Sequence, residues 1–412
     1  MSAVTPESLR EALSAADACV QCGACMHACP VYRVGRREEL GGRGKLRLLG
    51  GLKDGRLVPG REAAEILSRC VMCGRCSAAC PNQVQVAEAL TAGRAILAQE
   101  NQSPSLGQRI LQGALRRPRN LNVLGKAARL AQPLLRHGVP LSSGLHLRLA
   151  GIKGLEKLPP LAARPFLADA PREIAGPQGA PRLGLFVGCV ANYLRPELAR
   201  QAVAILSKRF TVVIPPGQGC CGLPGLAAGL VQDAQELFLG HADIFSRAKV
   251  DLIVTTCGSC AFALGKELPR LLGAEAALPL GAPVKEITQV LAEEPGLVAG
   301  LGAGAGPAVL HDPCNLKVGL GVFEEPRVML KAAGVELAEM EEADACCGGG
   351  GLLPLNDPKL SQAVFAPRAR AFAQSGAQAM ASACSGCYLQ WRRGLPPEVS
   401  VLHPIELLGR AR

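Results

Sequence analysis

Aromatic side chains are scarce in this sequence. Phe, Tyr and Trp make up 3% of its 412 residues, whereas hydrophobic residues of all kinds make up 49%. The hydrophobic fraction is large enough for two or three domains, whose cores must consist mainly of Leu, Val and Ala. Few side chains are left on which nucleic-acid bases could stack, so we expect no nucleic-acid partner.

Targeting and membrane-spanning segments are also lacking. The N-terminus has no basic region followed by an apolar run, so we expect no signal peptide. The most apolar stretch, residues 295–310, is interrupted by five glycines and two prolines and is typical of a linker. These absences predict a cytoplasmic protein with reduced thiols, in which clustered cysteines bind metal rather than form disulfides.

No catalytic or nucleotide-binding motif is complete. Gly41–Lys45 reads GGRGK, but Leu46 follows Lys45 where a phosphate-binding loop needs a hydroxyl group. The sequence has no dinucleotide fingerprint, no Ser–His–Asp arrangement and no evident acid–base pair. We therefore predict no catalytic residue in this chain. Because it has no FAD or NAD site, it must receive any electrons that it carries from another protein.

Cysteine is abundant, and the 18 cysteines divide the chain into four blocks. Residues 1–100 contain eight of them in two matching runs, and residues 101–180 contain none. Residues 181–295 and 308–412 contain five each, at nearly the same spacing. These last two blocks form an internal repeat of roughly 110 residues, which is too long for a solenoid unit and indicates duplicated domains.

Each repeat alternates apolar runs with helical patterns. This order predicts an α/β unit with a mostly parallel sheet, and the cysteines follow strand ends, where such sheets place their sites. The predicted strands are 183–187, 211–214 and 252–255 in the first repeat and 308–310, 335–340 and 379–382 in the second. We thus predict a multidomain α+β and α/β fold. It comprises a small α-helical two-cluster ferredoxin-like domain, a helical linker and two duplicated α/β modules.

The first block carries the strongest motif, a four-cysteine run ending in Cys-Pro that occurs twice. In two-cluster ferredoxins, three cysteines of each run bind one [4Fe–4S] cluster and the fourth binds the other. Zinc would not require two identical runs, and His27 is interpreted as a solvated neighbour because eight thiolates already suffice. The predicted ligands are Cys19, Cys22, Cys25 and Cys80 for one cluster and Cys70, Cys73, Cys76 and Cys29 for the other.

The two repeats each carry five cysteines around a Cys-Cys-Gly tripeptide, and we call them the first and second CCG modules. Adjacent cysteines can face one metal site only if the backbone bends sharply, which Gly222 and Gly348 permit. Five thiolates could hold a cubane cluster with one to spare or a more open cluster with bridging thiolates; zinc and redox-active dithiols are alternatives. The predicted metal ligands are Cys189, Cys220, Cys221, Cys257 and Cys260 in the first module and Cys314, Cys346, Cys347, Cys384 and Cys387 in the second.

Together, the tandem ferredoxin-type runs and the two complete CCG modules resemble the glycolate oxidase iron–sulfur subunit family over about residues 10–410. The small subunit of anaerobic glycerol-3-phosphate dehydrogenase, lactate-oxidising complexes and D-type subunits of heterodisulfide reductase share this layout. The resemblance implies an oxidoreductase subunit with two [4Fe–4S] clusters and one or two further iron–sulfur clusters, either cubane or noncubane, in the CCG modules. It also implies an FAD-containing partner that oxidises glycolate or D-lactate, and a quinone or other carrier that accepts the electrons.

Two other functional interpretations stay open. In heterodisulfide reductase, paired CCG modules bind noncubane clusters that act on a disulfide. Both modules are complete here, whereas glycolate oxidase subunits can lack some of these cysteines, which keeps the reductase interpretation available. Alternatively, the CCG modules are zinc-held scaffolds for a complex.

Two further features also have more than one interpretation. His311 and Asp312 stand just before Cys314. These two residues either tune a nearby cluster and transfer protons, or Asp312 simply forms a turn with the following proline. Residues 101–168 contain eleven Lys and Arg against one acid and so supply +10 of the net charge of +11. This segment fits anionic lipid on the inner face of the membrane, an acidic partner subunit or a solvated helical linker.

Overall fold

The computed structural model describes residues 11–100, 160–273, 279–302 and 306–409. Most of the basic segment 101–168 lies outside the described residues, so its three interpretations stay predictions, as do the boundaries of the four blocks. Within the described ranges, no helix combines the length and the hydrophobicity needed to cross a membrane.

Residues 11–100 form a helical unit whose core lies between two of its longest helices. Leu46 and Leu49 of one helix and Leu90 of the other are buried there, together with Leu67 of a third helix. A 3₁₀ turn, Leu13–Ala16, packs against the same two helices. The helices are α1 (Ala24–Ala28), α2 (Pro30–Gly35), α3 (Gly42–Lys53), α4 (Arg61–Ser68), α5 (Arg75–Ala78) and α6 (Val86–Gln99).

The first CCG module is built on a five-stranded sheet with the order β1-β3-β2-β4-β5. All neighbouring strands are parallel except β1, which pairs antiparallel with β3. A π-helical turn, Ala263–Glu267, joins the last two helices before β5. The elements are α7 (Phe166–Asp169), β1 (Glu173–Ile174), β2 (Arg182–Phe186), α8 (Gly188–Tyr193), α9 (Pro196–Leu206), β3 (Thr211–Val213), α10 (Leu223–Ala227), α11 (Val231–Ala248), β4 (Leu252–Thr255), α12 (Gly258–Phe262), α13 (Leu268–Leu271), β5 (Val284–Glu286) and α14 (Ile287–Glu293).

The second CCG module has a smaller, wholly parallel sheet of three strands in the order β6-β7-β8. A π-helical turn, Asn315–Leu320, follows directly after Cys314. The elements are β6 (Ala308–Leu310), α15 (Glu325–Ala332), α16 (Leu353–Asn356), α17 (Pro358–Gln374), β7 (Ala379–Ala381), α18 (Ser385–Gly394) and β8 (Ser400–Leu402). The predicted fold class is confirmed: a helical N-terminal region precedes two modules with mostly parallel sheets.

One predicted strand, 335–340, does not form. It makes only an isolated bridge, in which the N–H of Ala308 donates to the carbonyl of Glu336 (3.0 Å) and the N–H of Ala338 donates to that of Ala308 (2.9 Å). The four glutamates at positions 336, 339, 341 and 342 are exposed. A strand inside a parallel sheet is covered on both faces and could not leave such charges in water, which accounts for the difference.

The parallel strands bring the cysteines of each module to one edge of its sheet. Cys189 and Cys257 lie shortly after the carboxyl ends of β2 and β4, and Cys314 and Cys384 lie after those of β6 and β7. The strands themselves are apolar and buried, as expected for a sheet covered on both faces. The sheet edge therefore positions the predicted ligands, as in other open α/β sheets.

The three units pack against one another through buried polar contacts. His403 of the second module lies 3.1 Å from the Glu286 carboxylate of the first, and both side chains are buried. Arg94 of α6 donates hydrogen bonds to the carbonyls of Leu67 (2.6 Å) and Cys70 (3.0 Å) in the helical unit and to that of Ala227 (2.6 Å) in the first module. The relative placement of the cysteines is fixed by these contacts.

Candidate functional site

Four of the N-terminal cysteines line one cavity. Its walls include the apolar side chains of Leu46, Val84 and Val86. Cys22 is exposed, so this cavity lies at the molecular surface. The four cysteines come from both sequence runs and are the same four that the spacing assigns to one cluster. We call them the first ferredoxin set: Cys19, Cys22, Cys25 and Cys80.

The other four N-terminal cysteines form a second, more buried group. Burial raises the pKa of the Cys76 thiol to about 12, and the neighbouring thiols of Cys70 and Cys29 contribute to the increase. Burial also raises the pKa of the Cys73 thiol, with smaller contributions from Cys76 and Cys70. We call this group the second ferredoxin set: Cys29, Cys70, Cys73 and Cys76.

Two buried cations flank the second ferredoxin set. Lys45 and Arg94 are 1% and 6% exposed, and neither has a carboxylate within 4.0 Å among the described residues. Lys45 donates to the carbonyls of Glu39 (3.1 Å) and Leu40, and Arg94 donates to four carbonyls. A thiolate at Cys70, Cys29 or Cys76 would attract the ammonium group of Lys45, and one at Cys70 would also attract the guanidinium group of Arg94.

These cations test whether an iron–sulfur cluster fits the site. Burying a positive charge is costly unless a negative charge compensates it. Among the described residues no carboxylate lies within 4.0 Å of Lys45, whereas the sulfurs of Cys70, Cys29 and Cys76 lie near it. A cluster held by four thiolates is an anion and would compensate the charge. The donor set and its charged surroundings therefore fit a cluster bound by the second ferredoxin set.

The two ferredoxin sets meet at the start of α3. A β-carbon added at Gly42 would lie 3.1 Å from Cβ of Cys76 and 3.3 Å from Sγ of Cys25. A β-carbon at this position would press on one cysteine of each set, and glycine avoids that contact. The helical unit thus brings both sets together, and the two sets are direct neighbours.

In the first CCG module the five cysteines are close neighbours. Cys189 lies beside Cys220, Cys220 beside Cys221, and Cys260 beside both Cys221 and Cys257. The neighbouring thiols of Cys220 and Cys260 lower the pKa of Cys221 to about 6. Gly222 follows the adjacent pair with φ of 90°, so the backbone bends there as the sequence predicts.

In the second CCG module the cysteines surround a buried histidine. Cys387 lies beside Cys347 and Cys384, and the His311 ring lies against Cys347. Ligand atoms of His311, Cys347 and Cys387 all lie within 4.8 Å of one another, and all three residues are buried. Cys314 and Cys346 complete the group, and electrostatic contacts join both to Cys347.

The CxxC loops join the two modules into one array. Ser259 Oγ of the first module lies 3.1 Å from the sulfur of Cys384 in the second, and Cys257 lies beside the same sulfur. In return, the N–H of Ser385 donates to Cys257 Sγ (3.3 Å). The ten CCG cysteines are therefore contiguous, a feature that spacing within each repeat could not reveal.

The second module, rather than the first, lies beside the ferredoxin sets. Cys73 lies close enough to Cys346 and Cys314 for their charges to interact. Arg75 connects the two units, because it forms a salt bridge with Asp344 (3.1 Å) and its positive charge lies near Cys73 and Cys346. The cysteines thus follow one order in space: first ferredoxin set, second ferredoxin set, second CCG module, first CCG module.

Sequence reasoning missed several residues of this site. Lys45 belongs to the GGRGK motif, and nothing in that motif, which lacks the hydroxyl of a phosphate loop, indicates a buried counter-cation. Asp312 is held by Arg327 through two contacts of 2.7 and 3.0 Å, rather than by its own turn alone. His27 is exposed, in agreement with its interpretation as a solvated neighbour.

Comparisons with known proteins agree with this organisation. Residues 15–84 match the 4Fe-4S dicluster domain family, and residues 183–265 and 308–392 match the cysteine-rich CCG domain family. The chain is 28% identical to the probable glycolate oxidase iron-sulfur subunit of Bacillus subtilis, over 95% of this chain and 93% of that protein. It is 27% identical to the glycolate oxidase iron-sulfur subunit of Escherichia coli, over 97% of this chain and 95% of that protein. It is 30% identical to lactate utilization protein A of Geobacillus kaustophilus, over 55% of this chain and 98% of that protein.

Proposed function

This chain belongs to the family of iron–sulfur subunits that includes the glycolate oxidase iron-sulfur subunit, and from this membership we propose that it carries electrons for a flavin-dependent 2-hydroxyacid oxidase. A partner FAD-containing subunit oxidises glycolate or D-lactate, and a quinone or another carrier finally accepts the electrons. The chain itself holds several iron–sulfur clusters and belongs to an oxidoreductase of this kind. It contributes no substrate site of its own.

One observation carries this proposal: the four cysteine sets are neighbours in one continuous series that starts at the molecular surface. The series begins at the exposed Cys22, and Cys73 connects the ferredoxin sets to the second CCG module. Iron–sulfur clusters supply single-electron transfer when they are bound. The ligands that we propose are the eight ferredoxin-type cysteines and the ten CCG cysteines named above.

The surrounding residues suit such a role. Lys45 and Arg94 compensate negative charge at the second ferredoxin set, and apolar side chains such as Leu46 limit water at the first. Val20, which is 68% exposed, borders the first cavity beside Cys22. We propose that the partner subunit docks on this face and that electrons enter here.

A second function is favoured by the junction between the modules. Cys257 and Cys384 are in direct contact, and both modules retain all five cysteines. Two complete, adjacent centres could act together on a disulfide, as the heterodisulfide reductase-type interpretation requires. This function uses the same clusters but a substrate that binds at the CCG junction rather than an electron carrier.

Anaerobic purification of the chain with its co-purifying partners tests these alternatives. We expect about sixteen iron atoms per chain, four for each of four clusters. We also expect the clusters to be reduced when glycolate or D-lactate is added to the complex, but not when it is added to the chain alone. About eight iron atoms with about two zinc atoms would instead support the scaffold interpretation. Reduction of a disulfide by the chemically reduced chain, without a response to hydroxyacid in the complex, would support the reductase function.

A further inference from the structure

A histidine shares the metal-binding region of the second CCG module. His311 follows β6 directly and is 1% exposed. One of its ring nitrogens and the sulfurs of Cys347 and Cys387 lie within 4.8 Å of one another. That spacing is short enough for all three atoms to contact a single metal ion placed between them.

The orientation of the imidazole ring is fixed from the other side. Nδ1 of His311 lies 2.9 Å from the carbonyl oxygen of Ala343, to which only a protonated nitrogen can donate. In the neutral ring this bond leaves Nε2 unprotonated, on the side of Cys347. Metal-binding histidines commonly donate their second N–H to a backbone carbonyl, which sets the tautomer and the ring orientation. Trp391 packs edge-on against the ring at a centroid distance of 5.5 Å and restricts its rotation.

The first CCG module differs at the corresponding position. His311 stands three residues before Cys314, and Phe186 stands three residues before Cys189. Phe186 offers no ligand atom, and it packs against His241, whose Nε2 lies 2.9 Å from the carbonyl oxygen of Cys220. The other nitrogen of His241, Nδ1, is buried without a hydrogen-bond partner, but among the described residues it does not lie within 4.8 Å of two cysteine sulfurs as the His311 nitrogen does. The two modules are therefore alike in their cysteines but different in their nitrogen donors.

We propose that Nε2 of His311 is a ligand of the metal centre in the second CCG module, together with the sulfurs of Cys347 and Cys387. This inference rests on the proposed function, because it takes the centre to be an iron–sulfur cluster. The cluster would be of the open kind, since each iron of a cubane takes only one protein ligand. The second module then holds a cluster of mixed nitrogen and sulfur ligation, whereas the first module holds one with sulfur alone. An iron–sulfur centre with neutral imidazole in place of a thiolate has a higher reduction potential. The second-module cluster should accordingly accept electrons more readily than the same cluster with a cysteine at position 311.

Pulsed electron paramagnetic resonance on the full-length, iron-loaded chain tests this proposal without any substitution. We expect wild-type protein labelled with ¹⁵N-histidine to lose the ¹⁴N imidazole coupling that unlabelled protein shows. His311→Gln should lose this coupling entirely. His403→Gln removes another buried histidine of the same module, which faces Glu286 rather than a cysteine, and should keep it.

His311→Cys supplies a thiolate at the same place and separates ligation from packing. We expect this variant to keep its iron, lose the nitrogen coupling and show a lower midpoint potential for the second-module cluster. A full iron content in wild type with no effect of ¹⁵N-histidine would overturn the inference and leave the proposed function standing. About eight iron atoms with zinc in the modules would contradict the proposed function itself.

Discussion

At the scale of single residues, the buried cations explain more of the site than the cysteines alone do. Lys45 lies on α3 with its ammonium group bonded to carbonyl oxygens and close to the second ferredoxin set. A buried ammonium group in such surroundings is unfavourable until anionic thiolates and their cluster are in place. Adding an electron to the cluster makes it more negative, so Lys45 should favour the reduced state.

We predict that Lys45→Met lowers the midpoint potential of the cluster at the second ferredoxin set. Unit charges roughly 6 Å apart at an effective dielectric constant of about 20 interact by about 3 kcal/mol, which corresponds to a shift on the order of 100 mV. A redox titration followed by electron paramagnetic resonance measures this shift. Lys53→Met on the same helix is the control, because Lys53 pairs with Asp17 away from the cluster and should leave the potential unchanged.

At the scale of elements, the loop after the second Cys-Cys-Gly tripeptide is packed backbone to backbone against the helical unit. A β-carbon at Gly351 would lie 1.9 Å from the carbonyl oxygen of Cys70, and one at Gly350 would lie 2.3 Å from that of Val71. Gly351 also has φ of 59°. This contact holds the second module next to Cys73.

Gly351→Ala should therefore destabilise the protein by much more than the cost of placing alanine at a positive φ. Gly376→Ala is the matched control, since Gly376 has φ of 68° in the same module but nothing within 4 Å of its added β-carbon. We expect the control to cost about 1 kcal/mol and Gly351→Ala to cost at least about 3 kcal/mol. Anaerobic thermal unfolding compares the two, and equal losses would show that the close approach is unimportant.

The elements also show where sequence reasoning succeeds and where it fails. The strands at 183–187 and 252–255 were predictable because short apolar runs precede each cysteine. The predicted strand 335–340, which does not form, has a similar pattern of apolar residues, but its charged glutamates must remain in contact with water. The grouping of the ferredoxin-type cysteines could be anticipated from spacing. In two such runs, three cysteines of one run group with the fourth cysteine of the other. The contact between Cys73 and Cys346 could not, because it depends on how two units pack.

At the scale of the whole molecule, Arg94 is the residue that ties the units together. Its guanidinium group reaches carbonyl oxygens of the helical unit and of the first CCG module. Since α6 also packs around the ferredoxin core, this one side chain couples the stability of the cluster-binding unit to that of the modules.

Arg94→Met should lower the free energy of unfolding by about 3 kcal/mol, because it removes the hydrogen bonds to the carbonyl groups of Leu67, Cys70, Ala227 and Gly351 while relieving the burial of a charge. The loss should appear as a single cooperative shift in anaerobic thermal unfolding. Arg61→Met is the control, because Arg61 is 90% exposed and pairs with Glu65 on its own helix. A loss as small as that of the control would mean that the guanidinium bonds contribute no net stability.

The order of the cysteine sets leads to a prediction about the path of electrons. Cys29→Ser removes a ligand of the second ferredoxin set, which lies between the surface cavity and the CCG modules. If the partner delivers electrons at the Cys22 face, the first ferredoxin cluster should still be reduced by hydroxyacid in this variant. Reduction of the CCG centres should slow by roughly tenfold or more, which corresponds to at least about 1.4 kcal/mol of added barrier. Rapid-freeze spectroscopy of the complex resolves the two signals.

Cys189→Ser completes that experiment. Cys189 belongs to the first CCG module, the last of the four sets, so its loss should leave the centres of the other three sets reducible at the normal rate. The contrast depends only on position, since both variants remove one thiolate from a cluster-binding set. Normal reduction of the CCG centres in Cys29→Ser would show that electrons bypass the second ferredoxin set. The partner subunit would then dock beside the modules, and the exposed cavity at Cys22 would serve the final acceptor instead.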